Sequence, residues 1–201
     1  MSVAYPVPAG EARVELRFKN SRFIGTAAPA PTIEEARGLV SRLRAEFPDA
    51  SHHVFAFAEG FGPSVTHGMS DDGEPSGTAG RPVLAVVQGA GLGDVAVVVS
   101  RYFGGTQLGT GGLVRAYGGT AQAVLEQVPR REKVEKIAAR LALPYELYAR
   151  ARLLIEGAQG EIAAEEFGAL VTLSLVLRQD RVESLGAAIR DLSAGRAAHA
   201  R

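Results

Sequence analysis

Residues 11–18, Glu-Ala-Arg-Val-Glu-Leu-Arg-Phe, alternate polar and apolar as a half-buried strand does. Lys19-Asn20-Ser21-Arg22 is a polar turn, and Phe23–Ala27 reads as the returning strand. Thr32 and Glu35 have the spacing of a capping box. Ile33, Ala36, Leu39, Val40, Leu43 and Phe47 follow at helical spacing, and Pro48 stops that helix. Alternation returns over His52–Ala58, with His53, Phe55 and Phe57 on one face, and a shorter strand is expected over Ser64–Met69. A helix is predicted near Arg81–Gln88, with Pro82 suited to its first turn. Asp94–Phe103 is almost wholly apolar through five consecutive positions, Val95–Val99, which predicts a strand buried on both faces. The last helix of this half is expected from Gly112 to Val128, with Leu113, Tyr117, Ala121, Val124 and Val128 on one stripe.

The pattern breaks at Pro129-Arg130-Arg131-Glu132-Lys133, a charged, proline-led segment that reads as a linker. Beyond it the expected elements are a strand over Ile137–Tyr145, a helix over Leu147–Gly157, strands over Glu161–Phe167 and Leu170–Leu177, and an amphipathic helix over Arg181–Leu192. Residues 196–201 would add a short edge strand or fray. The order β-α-β-β-α-β is the ferredoxin-like plan. The first half, β-β-α-β-β-α-β-α, is an α+β sandwich. Two domains follow, over residues 1–132 and 133–201.

Composition narrows the function. The 201 residues are 46% apolar and carry a formal net charge of zero, so no global basic field draws nucleic acid and any such contact must be local. Lysine occurs only at Lys19, Lys133 and Lys136, which leaves arginine to make forked contacts with phosphate or carboxylate. The absence of cysteine excludes disulfides, thiolate metal sites and a cysteine nucleophile. No leader-like start and no run of about 18 apolar residues is present, so a cytoplasmic protein without membrane contact is expected.

Two glycine-rich loops carry the candidate chemistry. The first, Ser70–Pro82, holds Asp71, Asp72, Glu74 and Arg81 among three glycines and two prolines. Clustered carboxylates can hold a hard cation or act as acid and base, but the loop offers too few oxygen ligands, and no metal or other cofactor is expected. The acids can instead cap the following helix, or pair with Arg81, Arg101 or Arg115 and pin one loop against the other. The second loop runs from Arg101 through Gly104, Gly105, Gly109, Gly111 and Gly112 to Arg115. Free N–H groups at a helix start, with no Cβ in the way, make an anion site. Arg101 and Arg115 are expected to converge on it. No Gly-Lys-Ser/Thr ending is present, so this is not a P-loop. The alternative is that the glycines serve turns and close packing, as Gly118 and Gly119 are expected to do. His52 or His53 is expected near the loops at the sheet end, where a general base would be useful; the alternative is a hydrogen-bonded strand histidine. Tyr102 and Phe103 offer a stacking platform at a strand end, the alternative being that they serve as core or lid. No nucleophile has an evident base beside it, so no catalytic residue is assigned.

Asp71-Asp72-Gly73-Glu74-Pro75-Ser76-Gly77-Thr78-Ala79-Gly80-Arg81-Pro82-Val83-Leu84, followed by the run from Val97 to Gly119, resembles the signature of the YigZ/IMPACT family. The resemblance is strong over residues 15–130. It implies a first domain with the fold of the second domain of a small-subunit ribosomal protein, shared with elongation factor G and with GHMP kinases. It implies a second, ferredoxin-like domain resembling the last domain of elongation factor G. Eukaryotic relatives restrain the kinase that senses uncharged tRNA, through an additional domain absent here. Family members commonly carry a His-x-Cys-like run where this chain has His52, His53 and Val54, so no mechanism can rest on that cysteine. The function this implies is a translation-linked regulatory protein, not an enzyme, that contacts RNA, the ribosome or a translation-control protein. The alternative is an enzyme acting on a phosphorylated small molecule or nucleotide.

Overall fold

The computed structural model describes residues 4–134, 136–193 and 198–200. They form two compact units, one over Tyr5–Lys133 and one built from the described residues from Val134 onward together with Ala4. Both mix helices with antiparallel sheet, so the chain is α+β.

The elements of the first stretch are β1 (Ala4–Pro8), β2 (Ala12–Phe18), β3 (Ser21–Pro29), α1 (Ile33–Glu46), β4 (His52–Glu59), β5 (Thr66–Ser70), α2 (Gly80–Gly89), β6 (Val95–Tyr102), α3 (Thr110–Gln127) and β7 (Arg130–Val134). Five strands form one antiparallel sheet in the order β2-β3-β6-β4-β5. β6 lies at its centre. Val95, Val97 and Val99 pack towards α2 and α3, while Ala96 and Val98 pack towards α1. Helices on both sides therefore explain the unbroken apolar run, although the strand pairs antiparallel. Helix α3 lies close on β3: a Cβ at Gly25 would stand 2.8 Å from Thr120 Cγ2. The start of α1 is as expected, with Thr32 Oγ1 accepting from the Glu35 amide at 3.2 Å.

Two expectations need correction. The segment Pro129–Lys133 is no linker. Arg130–Val134 is a strand, and it pairs with β1, which the hydropathy pattern missed. Pro6 and Pro8 in β1 remove two ladder donors, and a two-stranded ribbon tolerates this where a central strand would not. Tyr5 and Val7 are buried, and the ribbon is tied down by Asp94. The Asp94 carboxylate accepts from the Tyr5 hydroxyl at 3.1 Å, from Lys133 Nζ at 2.5 Å and from the Gly60 amide at 2.8 Å.

The second stretch comprises β8 (Lys136–Leu143), α4 (Tyr145–Gly157), β9 (Glu161–Phe167), β10 (Val171–Arg178), α5 (Val182–Ser193) and β11 (Ala198–Ala200). Of residues 196–201, those outside β11 lie beyond the described residues. The four strands are antiparallel neighbours in the order β11-β8-β10-β9. Leu141, Leu143, Leu173, Leu175 and Leu177 pack with Leu147, Ala151 and Ile155 of α4 and Leu185 and Ile189 of α5. The opposite face of β8 and β10 presents Ala138, Arg140, Thr172, Ser174 and Val176, half-buried or exposed.

Candidate functional site

Register places the first residues of the site. In the β4–β6 ladder His52 pairs with Arg101, and His53 with Ser100. Side chains alternate along a strand, so His52 and Arg101 share the face that α2 and α3 cover, and His53 and Ser100 share the α1 face. His53 is buried with Nδ1 2.9 Å from Ser100 Oγ. Burial holds its imidazole below the ordinary histidine value, so it stays neutral at neutral pH and serves the core.

The loop between β5 and α2 is organised by its own acids. The Asp71 carboxylate accepts from the amides of Gly77 at 2.9 Å, Ala79 at 3.1 Å and Gly80 at 2.8 Å. Burial alone would push its carboxyl up; the three amides and the charge of Arg81 outweigh this and hold it below the usual carboxylate range. Ala79 at the cap of α2 has no side-chain oxygen, so Asp71 caps the helix from eight residues upstream. Asp72 turns the chain at φ +45°. Its carboxylate accepts from Arg44 at 2.6 Å and from the His53 amide at 2.6 Å. Its carbonyl lies 2.8 Å from His52 Nδ1. A carbonyl can only accept, so Nδ1 carries a proton and the neutral ring keeps its lone pair on Nε2, 3.8 Å from Glu74 Oε1.

Glu74 is the buried centre. Its Oε1 accepts from Arg101 Nη1 at 2.5 Å and from the Tyr117 hydroxyl at 2.6 Å. Burial, reinforced by the Glu74 hydrogen bond and charge, pushes the Tyr117 hydroxyl far up, so it remains a donor. Arg101 is only 5% exposed, and its guanidinium lies 5.5 Å from the Phe23 ring and 5.4 Å from the Phe103 ring. Its Nη2 reaches Ser21 Oγ at 3.4 Å, while Nε–H is buried without a partner. The expected salt bridge between loops therefore exists, as Glu74–Arg101. Its consequence is that Arg101 offers no uncompensated charge.

The second loop closes the site. Gly104 passes so near Asn20 that a Cβ would stand 2.0 Å from its carbonyl oxygen, and Lys19 Nζ donates to the Gln107 carbonyl at 3.0 Å. Gly105 and Gly109 turn with φ +79° and +72°. Gly109 caps α3 without a side-chain acceptor, which leaves the first-turn amides of Thr110, Gly111 and Gly112 uncapped. Gly112 packs 3.0 Å from Leu108 Cβ, measured from an added Cβ, whereas Gly111 has nothing within 4 Å. The result is a cleft of about 360 Å³ walled by His52, Glu74, Arg101, Phe103, Gly109 and Thr110, with Leu108 and Leu113 as apolar lining. Phe103 is half exposed at its edge.

The expected convergence of Arg101 and Arg115 does not occur. Arg115 is exposed on α3 and outside the cleft wall, and Arg81 is exposed on α2 and likewise outside it. Asp71, Asp72 and Glu74 bind three separate sets of partners, and among the described residues no three of His, Asp or Glu stand together as metal ligands. Gly118 and Gly119 are not close-packed: a Cβ there would meet Pro82 and Phe18 at 3.8 and 3.7 Å, ordinary contact. Sequence reasoning assigned no role to the Tyr117 hydroxyl. Its signal was a phenol on the apolar stripe of a helix, whose oxygen needs a polar partner once buried. Among the described residues no helix is long and apolar enough to cross a membrane.

Comparison with known proteins agrees with this architecture. The Impact N-terminal domain matches residues 19–125, and a domain of unknown function, DUF1949, matches residues 141–196. The IMPACT family member YigZ of Escherichia coli K12 is 39% identical over 190 residues, covering 94% of this chain and 93% of its own. An IMPACT family member of Haemophilus influenzae is 38% identical over 193 residues, covering 96% and 94%. A crystal structure described as a hypothetical protein superimposes with a TM-score of 0.77 at 38% identity, covering 99% of this chain and 97% of that one. A protein from Thermus thermophilus shares the fold at a TM-score of 0.52 and 9% identity, covering 100% of this chain and 28% of that one. With two domain models in register and relatives matched along nearly their whole length, the chain belongs to the IMPACT family.

Proposed function

We propose that this protein is a cytoplasmic, translation-linked regulatory protein that binds RNA without chemically altering it, and that the cleft beside α3 is its contact. The observation that carries this reading is the pairing of an exposed ring with an uncapped helix start. Phe103 offers a face on which a base can stack, and the amides of Thr110, Gly111 and Gly112 offer an anion their hydrogen bonds. The link to translation rests on the family resemblance. It draws support from the second unit, whose element order and strand order β11-β8-β10-β9 suit the ferredoxin-like plan, and we extend the elongation-factor-like assignment to the first unit on the same ground. The open face of β8 and β10 is a poor stacking platform, since it presents alanine, serine, threonine, valine and arginine and no ring. That shifts the RNA contact to the cleft.

The test is binding of a fluorescent single-stranded RNA, with co-sedimentation on ribosomes, for the native chain and for Phe103→Ala. Losing one stacked ring should weaken binding by about 1–3 kcal/mol, roughly five- to 150-fold. Equal affinity in the variant, or no RNA binding by the native chain, would remove the cleft from this role.

A further inference from the structure

We infer that the cleft reads a 5′-phosphorylated ribonucleotide, either the 5′ end of an RNA or a free nucleoside monophosphate, and does not track an internal stretch of strand; this rests on the RNA-binding reading above.

The inference comes from counting what the walls provide. A groove that follows a strand needs a row of cations and several rings. This cleft has one stacking ring, Phe103, and one anion position, the start of α3. Among the described residues its sole arginine, Arg101, is already paired with Glu74 at 2.5 Å. At about 360 Å³ it is the size of a small-molecule pocket.

The donors and acceptors are also segregated. On the α3 side stand the open first-turn amides of the helix, with Thr110 and its hydroxyl in the cleft wall. A phosphomonoester presents three free oxygens and nearly two charges to such a set, where an internal phosphodiester presents two oxygens and one charge. On the β4 side stand acceptors. His52 Nδ1 is committed to the Asp72 carbonyl at 2.8 Å, which makes Nε2 the acceptor of the neutral ring, and the Glu74 carboxylate stands 3.8 Å from it. Acceptors select hydroxyl donors, and ribose supplies one that deoxyribose lacks. Phosphate at the helix, hydroxyls at His52 and a base on Phe103 are the three parts of one nucleotide.

Gly111 gives the test an independent handle. Its backbone is compatible with any L-residue, and a Cβ there meets nothing within 4 Å. Cβ atoms on a helix tilt towards its N-terminus, so a methyl group at Gly111 would crowd the open amides without disturbing packing.

Affinities should be measured for a short RNA with a 5′-phosphate, the same RNA with a 5′-hydroxyl, the 5′-phosphorylated DNA of that sequence, and adenosine 5′-monophosphate as competitor. The 5′-phosphorylated RNA should bind at least tenfold tighter than either other oligonucleotide, and the monophosphate should displace it. Gly111→Ala should abolish the preference at a melting temperature no lower than that of the native chain, and His52→Ala should erase only the distinction between RNA and DNA. Equal binding of the two RNAs, with Phe103→Ala still weakening both, would overturn end recognition and leave the RNA-binding reading standing. Failure of every RNA to bind would overturn both. A 5′-phosphate preference that survives Gly111→Ala would place the site elsewhere.

Discussion

A carboxylate buried as deeply as that of Glu74 persists only with partners, and it has two charge-assisted ones in Arg101 and Tyr117. Removing one member strands the other, a loss of about 3–5 kcal/mol for a buried ion pair. Arg101→Ala and Glu74→Ala should each cost that much in urea denaturation. The double variant should cost clearly less than their sum, because neither charge is then left alone. Additive losses would mean that the pair is not coupled. Loss of RNA binding in Arg101→Ala would consequently report on folding before it reported on a phosphate contact. The arginine was legible in sequence as a candidate, and so was a bridge between the loops. What sequence could not tell is that pairing with Glu74 consumes the charge that made Arg101 attractive, while Arg115 lies exposed on α3 outside the cleft wall.

At the level of elements, both helices that follow the glycine-rich loops begin without a capping side chain of their own, yet they are treated differently. Helix α2 is capped by Asp71, whose carboxylate fills the anion position at its start. The folded-state carboxyl of Asp71 is lowered, so its contribution is present above the ordinary aspartate range and is lost as pH falls through the lowered folded value. Asp71→Asn should therefore be less stable than the native chain near neutrality, by about 1–3 kcal/mol for a weakened charged cap. The gap should close on acidification below the usual carboxylate range. A gap independent of pH would show that shape and not charge holds the loop. Among the described residues no side chain caps helix α3, which is what makes its start available. The hydropathy pattern located both helices to within two residues of their starts, because buried stripes and Pro82 are local signals. It could not see the Asp71 cap, which is made across a loop, nor β1 and β7, whose prolines and charges mask a ribbon fixed by Tyr5, Asp94 and Lys133. It also misjudged Gly118 and Gly119. Each sits in α3 with room for a methyl group, so Gly118→Ala and Gly119→Ala should each stabilise the fold by the helix-propensity gain of about 0.5–1 kcal/mol and raise the melting temperature. Destabilisation by either would reveal a packing constraint that the geometry does not contain.

At the scale of the whole molecule, 22 basic and 22 acidic residues cancel, so long-range attraction contributes little to any encounter with nucleic acid. The pairing is carried down to the site, where Arg101 meets Glu74, Arg44 meets Asp72 and Asp71 meets three amides. The positive potential left in the cleft is that of a helix end, worth about half an elementary charge and confined to one turn. Single-stranded nucleic acid releases counterions in proportion to the phosphates neutralised, with a slope of about 0.7 per phosphate in a plot of log affinity against log salt. A ligand held by one phosphate should give a slope below about 1, whereas a strand laid over six cations would give about 4. Measuring RNA affinity across a range of salt concentrations thus separates the two geometries with the native chain alone. A steep slope would require a basic track outside the cleft, with exposed Arg81 and Arg115 as its first candidates; a shallow slope combined with sensitivity to Phe103→Ala leaves the ring and the start of α3 as the contact.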